Sequence, residues 1–284
     1  MSKGTRIAVV IALLAGVVGG VWYWFRDRPP QHFAPPVATA SPSPADAGTS
    51  QGAEYPVAEP PTAIDRAASA PQAAAALPPL DDSDALLRAM LERSFGTGPV
   101  EAFLIPNRLV RHIVATVDSL DREPVRLKHR PLVHVQGPLA VEPLGERLYV
   151  LSARNYERYD AFVSALDAVD AGTLVDGYLR YYPLFQRAYR ELGYPRGDFN
   201  ERVIAVIDHL VAMPPVEPPV QLLRPKVLYT FADPRLENRS WGQKTLIRMG
   251  PAHAETVQRK LAAIRAEILA RGAVDSGKTG FTPD

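Results

Sequence analysis

The chain has 284 residues, with 32 Lys and Arg against 31 Asp and Glu, a formal net charge of +1 and no cysteine. Without cysteine there is no disulfide, thiolate metal site, cysteine nucleophile or lipid-modified cysteine. The balanced charge gives no overall footprint for nucleic acid, and no nucleic-acid partner is expected.

Residues 7–25, IAVVIALLAGVVGGVWYWF, run without a charge. At about 1.5 Å of helical rise per residue they would span roughly 28 Å, close to the apolar thickness of a bilayer. We therefore expect a single transmembrane helix in an N-terminal anchor over 1–28, with residues 7–25 in contact with lipid. Trp22, Tyr23 and Trp24 gather at one end, where indole and phenol rings favour the headgroup boundary, and Arg26 and Arg28 follow. A cleaved signal peptide would need a small-residue site such as Ala38-Thr39-Ala40, which lies too far beyond the apolar run. Lys3, Arg6 and the terminal amine slightly outweigh Arg26 and Arg28, so an inner N-terminus and an exported C-terminal body are expected.

Residues 29–80 hold 12 of the 28 prolines, set among alanine, serine and glycine. So few large apolar groups cannot offset the entropy of ordering, and a disordered Pro/Ala-rich linker is expected.

A mainly α body is expected over 81–272, with a flexible tail over 273–284. Asp81, Asp82 and Ser83 offer caps before an apolar repeat at Leu86, Leu87, Met90 and Leu91. Leu109, Val110, Ile113, Val114, Val117 and Leu120 form a second helical stripe. Prolines at 131, 138 and 143 forbid a long helix, so a small extended or β insertion is expected near 125–151, with LYVL as its best strand. One further helix would bury Tyr159, Phe162, Val163, Leu166 and Val169. The next, capped by Asp170, would present Leu174, Tyr178, Leu179, Tyr182, Phe185, Tyr189 and Leu192 to the core. Val203, Ile204, Ile207, Leu210 and Val211 mark another helix, followed by an extended connection through PPVQLLRPKVLYTF. Asp233-Pro234 and Ser240 read as helix starts, and Val257, Leu261, Ile264 and Ile268 line a final helix ending near Ala270.

Between two of these helices lies GYPRGDFNERV, which contains an Arg-Gly-Asp tripeptide at 196–198. Gly193 suits a helix C-cap, and Asp198 with Glu201 forms a D-x-x-E capping pattern. We expect a helix-to-helix corner rather than an adhesive motif.

Among candidate chemical groups, the five histidines of the body, at 112, 129, 134, 209 and 253, form no helix-borne metal pair, and no metal or other cofactor is expected. Gly277-Lys278-Thr279 lacks the upstream glycine and following helix of a phosphate loop. Arg122, Arg126, Lys128 and Arg130 concentrate positive charge, a local attraction for an anionic polymer or surface if they are exposed. The tyrosines from 178 to 194 read first as core, although Tyr194 and Arg196 could stand beside a binding surface.

The ordered phrases LPPLDDSDALLRAML, RHIVATVDSL, ARNYERYDAFVSALDAVDA, YRELGYPRGDFNERVIAVIDHL, LLRPKVLYTFADPRLE and KTLIRMGPAHAETVQRKL resemble the bacterial family of domain of unknown function 3014, over roughly residues 77–269. The resemblance implies an envelope protein with a short anchor, a low-complexity linker and this body, at the bacterial inner membrane with the body in the periplasm. It implies no activity and no catalytic residues. The arrangement favours a non-enzymatic interaction or scaffold module whose partner is an envelope protein or anionic polymer. The alternative is an envelope hydrolase or polymer-modifying enzyme drawing paired carboxylates from Asp160, Asp198, Glu201, Asp208 and Asp233, which would have to converge.

Overall fold

The computed structural model describes residues 77–133, 135 and 137–277. The expected anchor with Trp22, Tyr23 and Trp24, the linker up to residue 76, His134 and residues 278–284 lie outside the described residues. Among the described residues, no helix is long and apolar enough to cross a membrane.

The body is mainly helical and carries a small antiparallel sheet. It opens with a 3-10 turn at Leu80–Asp82, whose Leu80 is buried, so ordered packing begins within the stretch assigned to the linker. Helices α1 (Asp84–Phe95) and α2 (Thr97–Phe103) meet at Gly96, which has φ 84°. Helix α2 was not expected, because seven residues are too few to display a helical period and TGPVEAF contains two weak helix formers. The expected cap by Ser83 does not form. Its hydroxyl donates to Leu80 O at 2.7 Å. Asp84 instead caps a different helix, α3 (Leu109–Ser119), accepting from the backbone N–H groups of Arg108 and Leu109 at 2.6 and 2.7 Å.

The apolar stripe of α3 is fully buried, from Leu109 to Val117 and on to Leu120 in the turn beyond. Each such aliphatic side chain contributes about 2 kcal/mol by leaving water.

The proline-interrupted stretch then forms a short 3-10 turn at Leu127–His129 and an antiparallel pair, β1 (Val141–Pro143) and β2 (Leu148–Leu151). Two further strands, β3 (Gln221–Leu223) and β4 (Thr230–Phe231), come from the connection read as merely extended. They complete a sheet of order β1-β2-β3-β4, with Tyr149 opposite Leu222 and Leu222 opposite Phe231. Alternation places Leu222 and Phe231 inside while Gln221 and Leu223 face out.

The run expected as one helix is split into α4 (Arg154–Glu157) and α5 (Asp160–Asp167), with Tyr159 buried between them. Helix α6 (Ala171–Leu192) starts where Asp170 accepts from the Thr173 N–H at 2.9 Å, and it continues through Pro183. An interior proline costs a helix about 3 kcal/mol. Here the buried face from Leu174 through Tyr182 to Tyr189 offsets that loss. Leu192, expected in the core, is exposed because it ends the helix.

Helix α7 (Phe199–Val211) follows, and after the sheet come α8 (Pro234–Glu237), α9 (Trp241–Met249) and α10 (Pro251–Gly277). Helix α10 runs past the expected end at Ala270 into residues assigned to the tail. It lays Val257, Leu261, Ile264 and Ile268 against α6 and α7. Its polar face also closes other helices. The Gln258 amide donates to the carbonyls of Leu210 and Met213 at the end of α7, and Lys260 donates to those of Asp167 and Val169 at the end of α5. These are C-cap contacts supplied from a distance, satisfying carbonyls that a helix leaves open.

Candidate functional site

The corner between α6 and α7 organises one side of the candidate site. Asp198 Oδ1 accepts from the Glu201 N–H at 3.0 Å, and its other oxygen lies 3.0 Å from the Tyr182 hydroxyl. Gln186 ties the same corner, donating to Gly197 O at 2.7 Å and accepting from the Phe199 N–H at 2.8 Å. A Cβ at Gly197 would stand 2.9 Å from the Tyr189 ring and 3.1 Å from Tyr194 Cβ. Both Gly197 and Asp198 of the Arg-Gly-Asp tripeptide are thus held by local packing and capping, and Arg196 alone is exposed. Replacing Asp198 with alanine is expected to cost about 1 kcal/mol. An unchanged urea midpoint would reject the capping role.

Tyr194 stacks on Tyr189 with centroids 4.5 Å apart. Its hydroxyl donates to Asp118 Oδ2 and accepts from Arg122 Nη1, both at 3.1 Å. Asp118 is buried on α3, and Arg202 from α7 reaches it at 2.9 Å while engaging both oxygens of Asp121. The other tyrosines of this run are core, as read from the sequence, with Tyr178, Tyr181, Tyr182 and Tyr189 all buried. Burial and the Asp118 charge push the Tyr189 phenol up to about 12.

For Asp121, burial opposes ionisation, but the hydrogen bonds and charge of Arg202 win and hold the carboxyl below its ordinary value of 3.8. A carboxyl depressed by folding stabilises the folded state above its unfolded pKa, and that contribution disappears as pH falls through the folded value. The D121N variant is therefore expected to show a flatter loss of stability below about pH 4 than the parent. Parallel acid-unfolding curves would exclude this role.

Beyond Asp121 and Arg122 opens a polar cavity of about 300 Å³, whose opposite wall is Glu237, Arg239, Trp241 and Arg248 from the α8–α9 region. The N-terminal amides of α9 are already used: Trp241 N–H donates to Arg122 O at 3.0 Å and Gly242 N–H to Leu120 O at 2.8 Å. The wall is therefore made of side chains. Glu237 pairs with Lys244 at 3.2 Å and accepts from the Phe231 N–H at 2.8 Å. Arg248 is buried, with its guanidinium 5.1 Å from the Phe231 ring centre and no hydrogen-bonded carboxylate among the described residues. Burial lowers its pKa. Arg239 Nε and the Trp241 indole N–H are also buried without a partner.

The basic stretch expected to face an anionic partner divides. Arg126 and Lys128 are exposed, whereas Arg130 is 4 % exposed. The Arg130 guanidinium donates twice to Val125 O, at 3.1 and 3.0 Å, and lies 4.7 Å from the Trp241 ring centre. Burial brings its pKa to about 10. The partner-binding assignment of Arg130 is thus corrected: the side chain supports Trp241 from within, because its planar cation can stack on an aromatic face.

The five candidate acids are spread over separate contacts. Asp160 meets His253 at 3.1 Å, Asp208 meets Arg265, and Asp233 caps α8 through the Arg235 N–H at 2.8 Å. Asp198 caps α7, and Glu201 lies in that helix's first turn. Neighbouring His209 turns instead to Ser240 Oγ at 2.8 Å. His112 and His129, remote in sequence, meet edge to face with centroids 5.8 Å apart. No group of three His, Asp or Glu suited to a metal occurs among the described residues.

Arg239, Trp241 and Arg248 were missed by sequence reasoning. One signal was present: Trp241, Thr245 and Arg248 follow the i, i+4, i+7 pattern of a buried helical stripe, which an unpaired arginine rarely occupies.

No curated protein and no solved structure matches the chain. A family described as protein of unknown function, DUF3014, matches residues 109–265, from the start of α3 into α10, and so takes in both walls of the cavity. The chain belongs to the DUF3014 family.

Proposed function

We propose that this protein is a single-pass inner-membrane protein of the bacterial envelope. In this reading residues 7–25 anchor it, the proline-rich linker spaces it from the bilayer, and the helical body works in the periplasm as a non-enzymatic interaction or scaffold module. The observation that carries the binding role is the cavity between Arg122 and Arg248, walled by arginines and an indole whose donors are not all used within the body. A recognition site needs unspent, pre-positioned donors. Of the acids that a hydrolytic mechanism would need, Asp160, Asp198, Asp208 and Asp233 are each engaged in a separate cap or ion pair. Exposed Arg126 and Lys128 offer further positive charge to an envelope protein or anionic polymer.

Crosslinking in the native host, with anchor and linker intact, followed by affinity purification should recover a defined envelope partner. Recovery of the bait alone under several crosslinkers would count against the scaffold role. A reporter fused to the C-terminus should be active only if the body is exported, and a cytoplasmic signal would overturn the proposed orientation.

A further inference from the structure

A buried guanidinium without a counterion is costly, because losing its water is offset only by hydrogen bonds or opposite charge. Arg248, 9 % exposed and beside a cavity of about 300 Å³, has no hydrogen-bonded carboxylate among the described residues, and the Glu237 charge only partly offsets its burial. Around the same cavity, Arg239 Nε and the 3 % exposed Trp241's indole N–H are further buried donors without acceptors.

The acids nearby do not supply what is missing. Asp121 is held in a two-pronged pair by Arg202, from outside the cavity. Glu237 is occupied by Lys244 and the Phe231 N–H. Arg122 is committed to Asp118 and Tyr194. Exposed Glu123 is the one lining acid with no such commitment, and it sets a limit on how much negative charge the cavity mouth attracts. Arg239, which donates to Gln243 Oε1 at 3.5 Å, and Arg248 remain without a carboxylate at ion-pair distance among the described residues, with Asp233 and Glu237 acting on them only through their charge.

We propose that this cavity binds a phosphate group, with Arg239 and Arg248 as its charged donors and the Trp241 indole N–H as a third. Two guanidiniums match the charge of a phosphate monoester better than that of a single carboxylate, and their planar forks suit its oxygens. The volume is at the small end for ligand pockets, which fits a free phosphate ester or a phospholipid headgroup and excludes a bulky ligand. Arg130, stacked over Trp241 and tied to Val125 O, fixes the indole that supplies the third donor. The inference deepens the binding-module reading and rests on it.

The test uses the full-length protein in detergent, titrated calorimetrically with inorganic phosphate, glycerol 3-phosphate and a short-chain phosphatidylglycerol. Phosphate or its monoester should bind, and R239Q, at a half-buried position, should weaken binding about tenfold or more. W241F, which keeps the ring but removes the N–H, should weaken it less. Tighter binding of the phospholipid than of glycerol 3-phosphate would identify a headgroup as the source, and the reverse would identify a soluble ester. Absence of binding up to about 10 mM, or binding unaffected by both R239Q and W241F with unchanged melting temperatures, would overturn the site. In that event a partner recovered by crosslinking would leave the interaction-module reading standing.

Discussion

Replacing Arg202 with methionine should destabilise the body by about 3 kcal/mol, and up to about 5, because it strands buried carboxylate charge. Arg202 donates to Asp118 Oδ1, to the Asp118 carbonyl and to both oxygens of Asp121, and its side chain is 12 % exposed. Methionine keeps most of the aliphatic volume, so the loss is chiefly electrostatic. Asp118, itself 8 % exposed, would retain only Arg122 and Tyr194, both nearer to solvent. The contrast lies in a triple variant, R202M with D118N and D121N, which removes the orphaned charges as well. If stranded charge dominates, the triple variant should recover most of the stability in urea unfolding. Equal losses in the single and triple variants would mean that Arg202 acts through packing. Since Asp121 and Arg122 also line the cavity, the single variant should loosen that wall before the core unfolds.

The parts of this architecture that were legible in the sequence are those carried by local periodicity. The stripe of α3, the buried face of α6, the caps by Asp170, Asp198 and Asp233, and the break at Gly193 depend on residues within a few positions of one another. What could not be read depends on contacts between distant segments. Asp84 sits in a helix that it does not cap and closes α3, which starts 25 residues later. Gln258 and Lys260 look like ordinary surface residues of α10, yet they satisfy carbonyls on α7 and α5. Strands β3 and β4 are three and two residues long, below the length at which alternation is visible, and their registers exist only against β2 and β3 respectively.

The candidate site follows the same division. The basic cluster at 122–130 was visible as charge, but sequence could not show that Arg130 is buried under Trp241 while Arg126 and Lys128 remain outside. The cavity joins the turn after α3 to a wall more than 100 residues later in the chain. Only the misplaced polarity of Arg248 in an apolar stripe hinted at it.

That wall depends on the break between α9 and α10, and Gly250→Ala should be the most damaging single methyl group in the body. Gly250 has φ 88° and ψ 163°, a region that is essentially glycine's alone and costs another residue about 1–3 kcal/mol. A Cβ there would also lie 2.6–2.9 Å from three ring atoms of Tyr156 on α4, an overpacking worth about 1–3 kcal/mol more. The combined loss of about 4 kcal/mol is large for a domain of this size. Gly193→Ala separates the two causes: φ there is 125°, but a Cβ would meet nothing within 4 Å, so only the backbone cost of about 1 kcal/mol should appear. Similar melting temperatures for the two variants would show that Tyr156 yields easily. A much larger drop for Gly250→Ala would show that it does not. The damage should reach the cavity as well, because Asn155 on α4 donates to Arg248 O at 2.8 Å. Any shift of α4 away from Gly250 pulls on the backbone that carries the Arg248 guanidinium, so phosphate binding should fail in this variant at temperatures where α3, α6 and α7 are still folded.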